Sequence, residues 1–273
     1  MANKESGRFC SPGWLMPELP DRLGRAEVHQ EQEPLVSVVI PVYNGERYLG
    51  EAIDSVLRQS FAGSEIIVVD DGSTDRTADV ATAYGSAVRY FRQHQSGSGA
   101  ARNRGIEVAR GSLFAFLDAD DVWTPNKLAI QKSAFDADPE LELVYSHVKQ
   151  FCSPELSEVA RQKIRCPDDV VPGRLPGTML VKRDSFLRVG PFGVSWGVGE
   201  GVDWHLRATE LGLKMVLLPD VLLWRRLHEN NLGRRQRDAR IDYVRVFRAA
   251  LDRRRDAQET SVETRTPHAP GED

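Results

Sequence analysis

Three aspartates within four positions, Asp118, Asp120 and Asp121, follow a short apolar run at residues 112–117 (SLFAFL). Carboxylates this close repel one another unless a cation shares their site. Hard oxygen ligands suit Mg²⁺ or Mn²⁺, and Mg²⁺ is usually held by one or two carboxylates together with substrate phosphates. Asp118-x-Asp120 at the end of a buried strand therefore predicts a metal–diphosphate site, whereas the same residues on a plain turn would only cap a helix. A second acidic pair, Asp70-Asp71, precedes Gly72-Ser73 and closes another apolar run at residues 65–70 (EIIVVD). One carboxylate there can accept a hydrogen bond from a base N–H or a ribose hydroxyl; an Asx-turn is its other use. Tyr43 closes the run at 35–43 (LVSVVIPVY) and offers a flat ring for a nucleobase to stack on. The glycine-rich stretch 95–103 enters a helix. It has neither GxGxxG spacing nor the lysine of a phosphate-binding P-loop, which disfavours both of those modes.

These residues need elements that bring them together. The run 35–43 is β-branched and ends at Asn44-Gly45, as a buried strand does. Asn44 is placed to cap the next helix, whose apolar stripe is Tyr48, Leu49, Ala52, Ile53, Val56 and Leu57. A second strand is expected at 65–70, with Ser73 or Thr74 capping the helix that follows. Further expectations are a strand at 87–91, a helix at 100–110, a strand at 112–117, a helix at 127–138 behind Pro125, and a strand at 177–181. Strands separated by helices of ten to fifteen residues indicate βαβ units and a parallel sheet, whose ligands bind at the carboxyl ends of the strands. Three of the first four strands end in suitable residues: Pro41-Val42-Tyr43, Asp70-Asp71 and Asp118-Ala119-Asp120.

Composition bounds the rest. The chain has 273 residues, 41% apolar and 28% charged, with a net charge of −4. These are ordinary values for a globular protein and exclude collagen-like or wholly disordered chains. No run reaches the roughly 18–20 apolar residues of a membrane helix, and residues 1–21 lack the apolar core of a secretory signal, so a cytoplasmic protein is expected, at most peripheral to a membrane. Cys10, Cys152 and Cys166 show no metal-ligand spacing and read as reduced thiols. Charge is uneven: residues 225–255 hold eleven arginines, no lysine and four acids, a net +7 against −11 elsewhere. That basic stretch has no nucleic-acid-binding motif. It suits a solvated helix face, or a surface for an anionic acceptor, membrane or partner.

Taken together, VSVVIPVYNGERYLGEAIDSVLRQSF, EIIVVDDGSTDRT, AARNRGIEVARG and FLDADDVWTPNKL resemble glycosyltransferase family 2 on a GT-A fold, over residues 35 to about 232. The resemblance implies an α/β domain with a mostly parallel central sheet flanked by helices, a nucleotide-binding half and an acceptor half. It implies an inverting, metal-dependent transferase that takes a nucleotide diphospho-sugar, expected to be a UDP-sugar, to an acceptor nucleophile. That acceptor could be a glycan, a lipid-linked glycan, a peptide or a small natural product. On the same ground Pro41 and Tyr43 would line the base pocket, Asp71 would contact the base, Arg102 would lie near the nucleotide and Asp118 near the ribose or donor sugar. Asp120 would be the principal ligand of Mn²⁺ or Mg²⁺, joined by His228 of the segment Arg225–Asn231. Gln95 falls where relatives often carry Asn.

Residues 199–207 (GEGVDWHLR) resemble the segment in which the aspartate of a Glu-Asp pair is the base of inverting members; Gly201 stands at that position here. Glu200 is then expected to be the base, with Asp203 on the same helix face supporting the acceptor. The expected organisation is an N-terminal arm at 1–33, the GT-A domain at 34–232, an arginine-rich amphipathic helix at 233–257 and a disordered tail at 258–273. The stripe Ile241, Val244, Phe247 and Leu251 is expected to dock that helix on the domain or on a second subunit as a homodimer. Two other classes share such a sheet. A nucleotidyltransferase would carry a Gly-rich, basic loop after the first strand, where this chain has PVYNGERYL, and a non-catalytic relative would keep the nucleotide pocket without a base.

Overall fold

The computed structural model describes residues 35–164, 169–229, 231 and 239–263, with side chains described to residue 256 and from residue 241 in the last segment. The expectations for the arm at 1–33 and for residues 264–273 lie outside these residues.

The described strands are β1 (Val36–Val42), β2 (Ser64–Asp70), β3 (Val88–Arg92), β4 (Leu113–Phe116), β5 (Val122–Trp123), β6 (Leu143–Cys152), β7 (Val170–Gly173), β8 (Leu180–Lys182) and β9 (Met215–Leu227). The helices are α1 (Leu49–Leu57), α2 (Thr77–Thr82), α3 (Ser98–Val108), α4 (Lys127–Ala137), α5 (Glu158–Ile164), α6 (Arg183–Val189), α7 (Glu200–Glu210) and α8 (Ala239–Glu263). The strands join in one sheet of order β3-β2-β1-β4-β8-β6-β9-β5, with β7 added on β6. The first four pair in parallel, as their helical crossovers require, and β6 also runs parallel to β9. The β8, β7 and β5 pairings are antiparallel, so the sheet as a whole is mixed.

Both faces of the sheet are covered. Val38, Ile40, Val68 and Leu113 pack against Leu49, Ile53 and Leu128 on one side. Val39, Val69, Phe114 and Phe116 pack against Ala101, Phe186 and Trp204 on the other. Burial on both sides is why β1 and β2 read as continuous apolar runs rather than alternating ones. Helix α3 approaches β1 closely enough that a Cβ at Gly105 would lie 2.3 Å from a methyl of Val39.

Five local expectations are corrected. Asn44 does not cap α1, which begins five residues later without a side-chain cap. Asn44 instead adopts a left-handed conformation (φ 51°) and its Oδ1 accepts the Thr74 N–H at 2.8 Å, joining the loops after β1 and β2. Ser73 does not cap α2 either: its Oγ accepts the Asn44 N–H at 2.8 Å, and Asp75 takes the Thr77 N–H. The strand expected at 177–181 is split, because Pro176–Thr178 makes a 3₁₀ turn held by the Thr178 hydroxyl on Gly173 O, and only Leu180–Lys182 pairs. Cys152 is disulfide-bonded rather than a reduced thiol, while Cys10 and Cys166 lie outside the described residues. In the last segment, α8 extends to Glu263, so residues 258–263 are helical where a tail was expected. Among the described residues no helix is long and apolar enough to cross a membrane.

One buried charge stands apart from the site. Lys127 is fully buried, its Nζ donating to Gln131 Oε1 at 2.6 Å and lying 4.1 Å from the centre of the Trp123 ring. Burial alone drives its pKa well below the ordinary 10.5, with no carboxylate to answer it. Below that ordinary value the unfolded chain binds a proton the folded chain resists, so stability should rise with pH through the alkaline range until 10.5 is passed. Lys127→Met should flatten that rise in urea unfolding measured from neutral to alkaline pH.

Candidate functional site

Strand order reverses between β1 and β4, and their exits open side by side at the carboxyl edge of the sheet, where doubly wound proteins bind ligands. The loop after β2 completes this edge. Pro41 is buried within β1 opposite Val69, and Tyr43, two residues on, is 47% exposed with its ring available. Asp70 is fully buried; its oxygens accept the Ser73 N–H at 2.7 Å and the Tyr90 hydroxyl at 2.6 Å.

Asp71 is built into the wall of the site. Its Oδ1 accepts Gln93 Nε2 and the Ser96 N–H, both at 2.8 Å, and its Oδ2 accepts the Gly97 N–H at 2.7 Å. Three hydrogen bonds occupy most of a carboxylate's acceptor capacity. The residue thus folds the 95–97 loop over the N-terminus of α3, a long-range contact beyond the base contact or local Asx-turn expected of it. Gly72 permits this with φ +85°, and a Cβ there would meet Gln95 N at 3.1 Å.

Arg102 on α3 is the cationic centre. It is 4% exposed, and its two terminal nitrogens each make a 2.5 Å ion pair, one with Asp118 and one with Glu200. The Ser98 hydroxyl donates to the same Glu200 oxygen at 2.6 Å. Burial pushes the Glu200 carboxyl up, but the Arg102 charge and these hydrogen bonds outweigh it and hold the group below its ordinary range. Arg102 Nε is buried without a hydrogen-bond partner. Three residues singled out separately in the sequence, Arg102, Asp118 and Glu200, thus form one ion-paired triad around a buried guanidinium.

Asp203 is not brought to that triad. Its carboxylate is taken up by Arg207 at 3.0 Å and by Arg253 of α8 at 3.4 Å. Gly201 lies between the two acids, and a Cβ on it would fall 2.5 Å from Pro176 Cδ. The close approach of Pro176 therefore leaves no room for an aspartate at the position where the expected base would stand.

A second cluster holds the acids after β4. Asp120 Oδ2 contacts His228 Nε2 at 2.9 Å and accepts Asn231 Nδ2 at 3.0 Å; Asn231 Oδ1 in turn takes the His228 N–H at 2.6 Å. Asp121 is buried, and its Oδ1 accepts the Arg226 N–H at 2.8 Å. Burial, then the charges of Asp120 and Asp118, raise its carboxyl well above the ordinary range. Arg226 anchors the whole: Nε donates to Asp120 O at 2.9 Å, Nη2 pairs with Glu51, and the guanidinium lies 4.7 Å from both the Tyr48 and Phe151 ring centres. The Tyr48 ring also lies 4.9 Å from the His228 ring, and its hydroxyl donates to Glu155. Tyr48 and Glu51, which read only as parts of an amphipathic helix, are the site residues the sequence concealed; the Arg-x-His spacing of 226–228 was the one signal pointing to this cluster.

A divalent cation fits here in an open form. Among the described residues no three His, Cys, Asp or Glu side chains converge as a closed ligand set. Asp120 and His228 offer one oxygen and one nitrogen beside the buried Asp121 carboxyl, whose charged form burial and its acidic neighbours disfavour. That is the partial set expected when substrate phosphates supply the remaining ligands.

The sequence profile of glycosyl transferase family 2 matches residues 37–189, more than half of the chain. The chain belongs to that family. An uncharacterized glycosyltransferase of Rickettsia typhi is 49% identical over 98 residues, covering 36% of this chain and 31% of its own. Glycosyltransferase AglE of Haloferax volcanii is 31% identical over 203 residues, covering 69% and 66%. The chain spans well under half the length of the rickettsial relatives it matches. Among solved structures, Staphylococcus aureus TarS 1–349 with UDP-GlcNAc superposes with a TM-score of 0.64 at 20% identity, covering 79% of this chain and 65% of its own. The mannosyltransferase PcManGT of Pyrobaculum calidifontis, with GDP-Man and Mn²⁺, gives 0.61 at 21% identity, covering 81% and 65%. The family's GT-A fold is therefore the fold of this chain.

The triad has a measurable consequence. Arg102→Ala leaves two acids facing each other in a mostly buried site and should cost about 3 kcal/mol of unfolding free energy, at the low end for a broken buried pair because Asp118 is partly solvated. Arg102→Lys should cost less. Chemical unfolding of the two variants beside the parent measures both, and an unchanged midpoint in Arg102→Ala would show the triad to be dispensable.

Proposed function

We propose that this chain transfers a sugar from a nucleotide diphospho-sugar to an acceptor nucleophile with inversion at the anomeric carbon, in the cytoplasm. The observation that carries this reading is the pairing, at one sheet edge, of the Asp120–His228 cluster with the Arg102–Asp118–Glu200 triad. The first suits a cation–diphosphate; the second lines the space beside it with a carboxylate. A donor would enter with its base against the exposed ring of Tyr43 and beside Pro41, under the loop that Asp71 holds. Uridine is the base proposed. Asp118 would face the ribose or donor sugar, and Arg102, fixed by two acids, would keep that carboxylate aimed. Asp120 and His228 would hold Mn²⁺ or Mg²⁺, which supplies neutralisation of the charge that develops on the leaving diphosphate.

Glu200 is the proposed base. With Gly201 barred by Pro176 from carrying an acid, Glu200 is the carboxylate of α7 nearest the vacant position, and it is ionised at neutral pH. It would take the proton of the acceptor nucleophile as that atom attacks the anomeric carbon and the diphosphate departs. The acceptor class stays open between glycan, lipid-linked glycan, peptide and small natural product.

Incubation with UDP-sugars and Mn²⁺ tests the reading without a known acceptor. Slow release of free sugar and UDP supports it; pyrophosphate release would mark a nucleotidyltransferase, and donor binding without turnover a nucleotide-sugar-binding relative. Asp120→Asn and excess chelator should each abolish turnover with the fold retained. Glu200→Gln should lower turnover by at least about 10²-fold at unchanged UDP affinity, the lower end for a lost general base. An active Glu200→Gln beside a dead Asp203→Asn would move the base to Asp203.

A further inference from the structure

Helix α8 docks on its own domain through a face other than the one its sequence suggests. Val246 is fully buried and Ala250 nearly so, the Gly199 backbone lies against Tyr243 and Val246, Asp242 accepts the Gly197 N–H at 2.9 Å, and Arg253 pairs with Glu210 at 2.8 Å. The apolar stripe expected to make this contact points away: Ile241, Val244, Phe247 and Leu251 are between 50% and 67% exposed. Spanning about 15 Å at 1.5 Å per residue, they form a row of large apolar side chains on a helix whose other face is already satisfied.

Among the residues of α8 whose side chains are described, the charges around this row are one-sided. At 3.6 residues per turn, the sector holding Tyr243, Phe247, Leu251, Val244 and Ile241 also holds Arg248, Arg254 and Arg255, all exposed. None of the acids at 242, 252 and 256 falls in it. Asp242 and Asp252 answer Arg245 and Arg255 from the flanks, Glu210 lies 3.7 Å from Arg254, and Arg248 has no ion pair among the described residues. Three arginines interleaved with aliphatic and aromatic side chains on one convex helix face is the composition of an interfacial helix. In such a helix the apolar side chains enter the acyl boundary while arginine stems bend their charges toward phosphate. A second copy fits less well, because a twofold contact brings each patch against itself and would oppose arginine to arginine.

We propose that the outward face of α8, built from Val244, Phe247 and Leu251 with Arg248, Arg254 and Arg255, binds an anionic lipid surface and holds the domain against it. Flotation of the full chain with vesicles tests this, using phosphatidylcholine alone and phosphatidylcholine mixed with phosphatidylglycerol. Binding is expected to the mixed vesicles only, weakening at high salt and falling by about fivefold for each of Arg248, Arg254 and Arg255 changed to Gln. Phe247→Ser with Leu251→Ser should abolish it. These side chains are exposed, so both sets of variants should keep the parent's thermal midpoint, and the arginine set alone decides the question if the serine variant does not. Equal binding to neutral vesicles, or none to either, would overturn the proposal. So would a concentration-dependent dimer, seen by light scattering, that the Phe247→Ser, Leu251→Ser chain loses; that result would assign the face to a second copy.

Discussion

The buried guanidinium of Arg102 ties the two halves of the domain together. It reaches from α3 to Asp118 at the end of β4 and to Glu200 at the start of α7, so one cation fixes the strand exit and the helix N-terminus at a common point. A charge so buried is tolerable only when it is paired, and neither acid would be held there without it. The parallel strands β1, β2 and β4 deliver their exits to one edge, but the residues after them are loop. Their positions depend on the triad and on the carboxylate of Asp71, which pins the 95–97 loop over α3.

Arg226 performs the corresponding task on the far side of the edge. Sandwiched between Tyr48 and Phe151 and paired with Glu51, it carries the end of β9 to the acids after β4 and so sets His228 against Asp120. The contributing elements, α1, β6 and β9, are far apart in sequence. The two arginines act in the same physical way: each is desolvated, surrounded by carboxylates or π-faces, and able to order several oxygens at once because the guanidinium presents its donors in a rigid plane. Between them the acids retain an excess of negative charge, and the elevated pKa of Asp121 reflects that excess after burial. A cation and a diphosphate together would answer it.

Gly201 illustrates how packing constrains chemistry. Pro176, at the head of the 3₁₀ turn that precedes the eighth strand, lies where a side chain at 201 would go. Loss of an acid at that position and the approach of the proline belong together, because an aspartate could return only if the turn moved. Glu200 and Asp203, three apart on α7, then meet opposite fates. One faces the triad, and the other is drawn to Arg207 and Arg253, where it secures α7 to α8.

The sequence by itself determined the alternation of strands and helices, the parallel first half of the sheet, and the convergence of Tyr43, Asp71, Asp118 and Asp120 on one edge. Continuous β-branched runs, helical periodicity and acids at strand ends are local signals, and a doubly wound topology has few ways to arrange them. Tertiary structure alone decided what each polar group does. Asn44 and Ser73 have the side chains of caps, yet stitch two loops together, since the loop after the neighbouring strand offered the same hydrogen-bonding geometry as a helix end. Tyr48 and Glu51 gave no sign of belonging to a site, because the arginine they meet lies some 175 residues further on. The stripe on α8 was visible as a pattern, but which face would be buried was set by Val246, Ala250 and the ion pairs of Arg253. A helix with apolar residues on two sides buries the side whose neighbours fit, and periodicity carries no information about the neighbours.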